Sequence, residues 1–153
     1  MGAGKTTAGQ VLADVLHLPF IDIDQQIELM EKRTINEIFT QSGEANFRQL
    51  ESQYLQEISA DAVYAAGGGI ICDPVNRILL PKVADLIVWL NPDWDIIYSR
   101  IAHSARPLVL SNNLHQLKEL YHKRLLPYEA VADITYQGND LNELIKIIKK
   151  ARF

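Results

Sequence analysis

Six residues near the start of the chain combine small side chains with one lysine and two hydroxyls: Gly2-Ala3-Gly4-Lys5-Thr6-Thr7. They match the second half of the pattern G-x-x-x-x-G-K-[ST], in which glycines let backbone N–H groups close around phosphate oxygens. In such a loop Lys5 reaches the β- and γ-phosphates of a nucleotide, and the Thr6 hydroxyl reaches Mg²⁺. The segment therefore predicts a phosphate-binding loop.

Two other interpretations of this segment stay open. The string could be an ordinary helix N-terminus, and Met1 to Thr6 also matches the N-myristoylation pattern M-G-x-x-x-[ST]. The amphipathic helix that follows at once favours the phosphate loop. The first glycine of the loop pattern and the strand that enters such a loop are not in the sequence. We therefore expect Met1 to be an internal methionine of a longer natural protein. The chain as written would then have a gap in the middle of its sheet, marginal stability and weak ATP binding.

Asp22 and Asp24 alternate along the short apolar run that starts at Phe20. Side chains alternate with period two in a strand, so both carboxylates would point to the same side at the strand's end. Two neighbouring acids are costly unless cations or hydrogen bonds compensate them. One beside Mg²⁺ and one accepting a proton from a substrate hydroxyl would use both charges. The alternative is a solvated turn leading into Gln25.

Three arginines and a glycine run are weaker candidates when each is taken alone. Arg48 lies three residues before Glu51, so one interpretation is an exposed helical ion pair worth only tenths of a kcal/mol. Gly67-Gly68-Gly69 is either a plain turn or a place where backbone approaches a ligand closely. Arg106 could be a solvated cation, and Arg124 could satisfy the last carbonyls of a helix.

The elements that must position these residues follow from hydrophobic spacing. Period-two and short apolar runs predict strands, and three-and-four spacing predicts helices between them. This alternation predicts an α/β fold, a parallel sheet with helices on both faces, whose ligands bind beyond the carboxyl ends of the strands. The predicted strands are Phe20–Asp24, Ala62–Ala66, Leu86–Leu90 and Ile134–Tyr136. Helices are expected over 8–16, after Gly43, around 94–102 and 114–126 and from Leu141, with caps at Thr34/Glu37, Asp73-Pro74 and Asn91-Pro92 and a polar loop over 103–113.

Size and composition exclude several other classes of protein. The chain has 153 residues, 48% of them hydrophobic, and a formal net charge of −4, which fits one globular domain over 1–153 without a basic field for nucleic acid. Its single cysteine, Cys72, excludes an internal disulfide. The longest apolar runs are far shorter than the roughly 20 residues of a membrane helix. We predict a cytoplasmic protein with no nucleic-acid or membrane partner.

Taken in order, the motifs resemble the shikimate kinase family, small P-loop kinases of the nucleoside-monophosphate kinase type. The matching stretches cover essentially the whole chain: the Gly2–Thr7 loop, Asp22-x-Asp24, Gly43-Glu44 leading into Phe47-Arg48-x-x-Glu51, Gly67-Gly68-Gly69, Arg106-Pro107-Leu108, and Arg124 followed by Tyr128 and Ala132-Asp133. The chain departs from the family pattern at Ala66, where a threonine is frequent, and at Pro127, which stands one place late. The first strand, which is central in this fold, is missing from the sequence.

The resemblance implies a reaction and a nucleotide site. The expected reaction is ATP-dependent phosphorylation of shikimate to shikimate 3-phosphate, within aromatic amino-acid biosynthesis. The Gly2–Thr7 loop would hold the ATP phosphates, with Thr6 on Mg²⁺ and Asp22 on the metal through water. Arg100 would pack on adenine, and Arg106, on a lid over about 103–113, would neutralise charge on the transferred phosphoryl group.

The resemblance also implies the substrate contacts. Asp24 would bind the shikimate hydroxyls and act as the base. Arg48 and Arg124 would clamp the carboxylate, and Gly68 would offer a backbone contact. The substrate-binding helical segment would span about 25–60, and the chain would act as a monomer. The alternatives are a gluconate- or nucleotide-type kinase and a non-catalytic shikimate-binding protein.

Overall fold

The computed structural model describes residues 2–104 and 107–152, and helices alternate with strands along the chain. A 3₁₀ turn at Ile70–Cys72 follows the second strand. The helices are α1 Lys5–Leu16, α2 Ile23–Glu31, α3 Ile35–Glu57, α4 Pro74–Val83, α5 Trp94–Ile101, α6 Pro107–Leu110, α7 Leu114–Val131 and α8 Leu141–Arg152; the strands are β1 Phe20–Asp22, β2 Val63–Ala65, β3 Val88–Leu90 and β4 Ile134–Tyr136. Among these helices none has the length and apolar character to cross a bilayer.

The strands pair in parallel, as the sequence predicted, but they form two separate sheets within the described residues. β1 pairs with β2, so that Asp22 lies opposite Ala65. β3 pairs with β4, so that Val88 lies opposite Ile134. A groove of about 490 Å³, lined by β2 on one wall and β3 on the other, separates the two sheets. The expected gap in the middle of the sheet is therefore present.

Each sheet has its own hydrophobic cluster. The cluster beside β1 and β2 is built on Ile23, Ile38, Leu55 and Ile71, and the cluster beside β3 and β4 is built on residues such as Leu144. The apolar run Leu86–Leu90 is typical of a buried strand, but all three residues of β3 remain partly exposed. The groove beside β3 accounts for that exposure.

The first strand ends two residues earlier than predicted. Asp22 takes an extended conformation and caps α2 by accepting a hydrogen bond from the Gln25 N–H at 3.3 Å. Aspartate is among the best N-cap residues because its carboxylate satisfies a free N–H of the first turn. Asp24 thus lies in the first turn of α2 rather than in the strand, and the period-two argument for Asp22 and Asp24 was wrong.

Several helix ends also differ from the prediction. The capping box of Thr34 and Glu37 is confirmed. The predicted helix after Gly43 is confirmed as well, because Gly43 has non-helical angles (φ 80°, ψ 165°) and forms a kink between two helical segments of α3. α7 continues past the predicted end near 126, through Pro127 to Val131. Asn91 does not cap α5, whose N-cap residue is Asp93. The predicted polar loop over 103–113 contains the short helix α6.

Candidate active site

The nucleotide side of the site is the amino end of α1. Gly4 precedes the helix in the left-handed region with φ 88°, and Gly2 also has a positive φ of 64°. Backbone of this shape suits glycine and turns free N–H groups toward the space in front of the helix, where the helix dipole favours anions. A cleft of about 510 Å³ opens there, lined by residues 2–8 and by Arg100, Gly138 and Asn139. The geometry supports the predicted phosphate loop.

Arg100 lies at the rim of this cleft. Its Nη1 donates to the carbonyl oxygen of Gly2 at 3.0 Å, and the side chain also lies against Gly4. The structure therefore places Arg100 beside the phosphate loop, and its contact with adenine stays a prediction. Arg106, the expected lid arginine, lies outside the described residues.

The acceptor side of the site forms where β1 and β2 end next to each other. Gly67, directly after β2, touches carboxylates from two helices: a Cβ on Gly67 would lie 2.8 Å from Oδ1 of Asp24 and 2.8 Å from Oε1 of Glu51. Any side chain at Gly67 would displace one of these acids. The glycine run thus permits side chains to approach its backbone closely, which fits the second interpretation of this run better than a plain turn.

Arg48 is held between two glutamates of its own helix. Its Nη1 donates to Oε2 of Glu51 at 2.5 Å, and its Nη2 donates to Oε1 of Glu44 at 2.8 Å. The guanidinium lies so close over Gly69 that a Cβ there would overlap it. The interpretation as an exposed ion pair was wrong, because the Arg48 side chain is 12% exposed and the Glu51 side chain is 0% exposed.

Glu51 is the site residue to which the sequence analysis gave no role. It follows Phe47 and precedes Leu55 at four-residue intervals, and all three are buried. This spacing places Glu51 on the apolar face of α3. An acid on the core face of a helix, three residues after an arginine, was the pattern that could have revealed it.

Arg124 and Tyr128 line a cleft of about 130 Å³ together with Lys5, Gly67 and Gly68. Arg124 is only 8% exposed, and its Nε has no hydrogen-bond partner in the part of the chain that the structure describes. It lies within α7, well before the helix ends at Val131, so the alternative that it satisfies the last carbonyls was wrong.

Tyr128 fixes the backbone of the glycine run. Its hydroxyl donates to the carbonyl oxygen of Gly68 at 2.7 Å, and its ring stacks on Trp89 with centroids 5.1 Å apart. Burial raises the pKa of Tyr128 to about 12, so the hydroxyl keeps its proton and remains a donor at neutral pH. The carbonyl of Gly68 is thus already engaged.

The residues predicted to serve Mg²⁺ offer suitable donors. Thr6 is exposed in the first turn of α1, and Asp22 stands at the carboxyl end of β1. Hydroxyl and carboxylate oxygens are the ligands that Mg²⁺ prefers, usually with several retained waters. No group of three or more metal-ligating side chains occurs in residues 2–104 and 107–152, so a metal here would depend on substrate oxygens and water.

A comparison with family models identifies the family of the chain. The model described as shikimate kinase matches residues 1–151. The chain belongs to the shikimate kinase family. A shikimate kinase of Macrococcus caseolyticus is 42% identical over 142 residues, which are 92% of this chain and 84% of the relative. A shikimate kinase of Staphylococcus epidermidis is 39% identical over 152 residues, which are 97% of this chain and 89% of the relative.

Solved structures of shikimate kinases have the same fold. The Acinetobacter baumannii enzyme in complex with shikimate superposes with a TM-score of 0.88 and 33% identity, covering 99% of this chain and 88% of that one. The Aquifex aeolicus enzyme superposes with a TM-score of 0.84 and 28% identity, covering 99% of this chain and 91% of that one. The predicted P-loop kinase fold is confirmed, and the chain is an ATP-dependent kinase.

The buried carboxyl of Glu51 should make the stability of this shikimate kinase family member depend on pH. Burial raises the pKa of Glu51 to about 7, with a further rise from Asp24, against the lowering by Arg48 and Arg124. A carboxyl whose pKa is raised in the folded state binds its proton more tightly there than in the unfolded state. Its contribution to the free energy of unfolding is therefore lost as pH rises from about 4.5 to about 7. Across that range we expect the free energy of unfolding of the wild-type chain to fall by up to about 3 kcal/mol relative to that of Glu51→Gln.

Urea denaturation of both chains at several pH values between these limits measures the difference. Glu57→Gln, on the exposed end of the same helix, is the matched control and should follow the wild-type curve. Parallel curves for wild type and Glu51→Gln would contradict the prediction.

Proposed function

We propose that the chain transfers the γ-phosphoryl group of ATP to a hydroxyl of shikimate, giving ADP and shikimate 3-phosphate in aromatic amino-acid biosynthesis. The names of the relatives and the shikimate in the Acinetobacter baumannii structure support the substrate. In this chain the observation that best supports the proposal concerns Arg124. Its guanidinium is buried, and its Nε lacks a hydrogen-bond partner among the described residues. Buried donors are almost always satisfied, and a substrate carboxylate would provide the acceptor.

Arg48 would hold the same carboxylate from the other side. Its guanidinium already forms salt bridges with Glu44, whose side chain is 48% exposed, and with the fully buried Glu51. A substrate carboxylate would share or replace Glu44, which can move into water, while Glu51 keeps Arg48 in place. Two planar cations around one carboxylate would favour an anionic acceptor over a neutral sugar.

Asp24 would accept the proton of the attacking hydroxyl. It lies in the first turn of α2, where the helix dipole stabilises a negative charge. Its Oδ1 lies against Gly67, at the edge of the cleft that Arg124 lines. A base must be ionised and within reach of the hydroxyl, and this position serves both requirements.

The Gly2–Thr7 loop would hold the ATP phosphates at the opposite end, with Lys5 between the two halves of the site. Lys5 lines both the nucleotide cleft and the cleft that contains Arg124. Thr6 and, through water, Asp22 would hold Mg²⁺, which when bound neutralises charge on the β- and γ-phosphates. Arg106 would add positive charge to the transferred group, and Arg100 would contact the base. The cytoplasmic location and the monomeric state stay predictions from the sequence.

The test is ADP release by the purified chain with ATP, Mg²⁺ and each candidate acceptor. We expect turnover with shikimate and none above background with gluconate or a nucleoside monophosphate. Calorimetry with shikimate alone separates the remaining alternative, because binding without ADP formation would indicate a non-catalytic protein. Turnover on gluconate but not on shikimate would overturn the proposal.

A further inference from the structure

The connection between β4 and α8, residues 137–140, forms part of the nucleotide cleft. Gly138 and Asn139 of this connection line the cleft that opens in front of α1. All four residues of the connection are exposed. A short exposed segment has few packing contacts of its own, so an anchor is needed to hold it in one conformation.

Tyr136, the last residue of β4, supplies such an anchor. Its side chain is 7% exposed and belongs to the hydrophobic cluster that also contains Ala8 of α1 and Leu144 of α8. The hydroxyl shares its proton between the carbonyl oxygen of Asp140 and Oε2 of Glu143, at oxygen–oxygen distances of 2.7 and 3.0 Å. The side chain of Tyr136 therefore joins the residue before the connection to its last residue, Asp140.

The Tyr136 side chain also determines which residue fits at position 138. A Cβ on Gly138 would overlap the Tyr136 hydroxyl and would lie 2.6 Å from Cζ of the ring. The φ of Gly138 lies outside the left-handed region, so the backbone itself would accept an alanine. The limit is the space that Tyr136 occupies. The connection thus rests directly on the Tyr136 side chain.

The part of the cleft formed by this connection suits a nucleoside better than phosphates. Residues 2–8 offer backbone N–H groups and Lys5 for phosphate oxygens, whereas Gly138, Asn139 and, at the start of α8, Leu141 carry no positive charge. An amide group and an apolar side chain fit the polar edge and the flat faces of a base. Residues 138–141 would therefore form a wall against the nucleoside, called the nucleoside wall below.

We propose that Tyr136 is a positioning residue for nucleotide binding, whose hydroxyl, engaged with Asp140 and Glu143, holds the nucleoside wall in its binding conformation. A wall that is ordered before the nucleotide binds lowers the entropy cost of forming the complex. The phosphates are expected at residues 2–7, so the hydroxyl acts on nucleotide affinity and not on the transfer step. The inference rests on the nucleotide site of the proposed function and does not depend on which acceptor is used.

The test is the substitution Tyr136→Phe, which removes only the hydroxyl. Calorimetry without any acceptor measures the affinity for ATP with Mg²⁺ and, separately, for inorganic tripolyphosphate with Mg²⁺. We expect the affinity for ATP to fall about three- to tenfold and that for tripolyphosphate to stay within about twofold of wild type. In turnover, the KM for ATP should rise by the same factor while kcat stays at the wild-type value.

Tyr64→Phe is the matched control. The Tyr64 hydroxyl also donates to a backbone carbonyl four residues away, that of Ala60 at 3.0 Å, and Tyr64 lies on β2, away from the residues that line the nucleotide cleft. This variant should keep both affinities at the wild-type values. A second variant, Gly138→Ala, keeps the hydroxyl but introduces a Cβ that displaces the nucleoside wall. It should lower the affinity for ATP and leave that for tripolyphosphate unchanged.

Three results would overturn the proposal. An unchanged ATP affinity in Tyr136→Phe or in Gly138→Ala would show that nucleotide binding does not depend on this contact. An equal loss of tripolyphosphate affinity would mean that Tyr136 acts through the phosphate loop or the whole fold, and an equal loss in Tyr64→Phe would mean the same. A lack of turnover with shikimate would contradict the proposed reaction but would not change these affinities, so the two failures are distinguishable.

Discussion

Replacing Asp24 by asparagine should lower kcat for shikimate phosphorylation by about 10²–10⁴-fold while leaving ATP affinity nearly unchanged. Asparagine keeps the size of the side chain and one hydrogen-bond acceptor, but it cannot take the proton of the attacking hydroxyl. The ATP phosphates are expected at the amino end of α1, on a different element from Asp24. The two effects therefore separate in one variant.

The measurement is kcat from ADP release together with ATP titration by calorimetry. Asp14→Asn, an exposed carboxylate on α1, removes the same charge without touching the cleft and should leave both quantities at the wild-type level. A near-normal kcat for Asp24→Asn would show that Asp24 is not the base and that positioning alone suffices.

The order of elements and most members of the site were predictable because they depend on local rules. Gly4 and Lys5 sit at the start of a helix with the glycine in a left-handed conformation, as the loop pattern requires. The Thr34–Glu37 capping box and the four strand positions follow from spacing over a few residues. Asp24 and Gly67 stand at or just after the ends of two predicted strands, beyond which ligands are expected to bind, and the structure brings the two residues together.

The features that the sequence did not reveal depend on contacts between distant segments. Asp22 can extend a strand or cap a helix, and only the packing of α2 decides between the two. Glu51 looked like half of a surface pair because its burial comes from Gly67 and from the apolar residues around α3, which are not adjacent in sequence.

Of the two arginines, Arg124 allows the carboxylate clamp to be tested with less disturbance of the fold. Arg48→Ala would also raise KM for shikimate, but it would leave the fully buried Glu51 without its cation and so destabilise the fold. Arg124 acts on Glu51 through charge alone, and its Nε lacks a hydrogen-bond partner within the described residues. Its removal should therefore lower the free energy of unfolding by less than Arg48→Ala does.

Arg124→Ala should raise the shikimate KM roughly 30-fold or more, because losing a charged partner of a buried ligand typically costs about 2–5 kcal/mol. The change in kcat should be smaller, since the carboxylate is remote from the reacting hydroxyl. Lys123→Ala, the exposed neighbour on α7, is the matched control and should keep the wild-type KM. Calorimetry of shikimate without ATP then reports the binding step directly. An affinity within about twofold of wild type, against the expected cost of a lost charged contact, would remove Arg124 from the clamp and leave its unpaired Nε without a ligand to explain it.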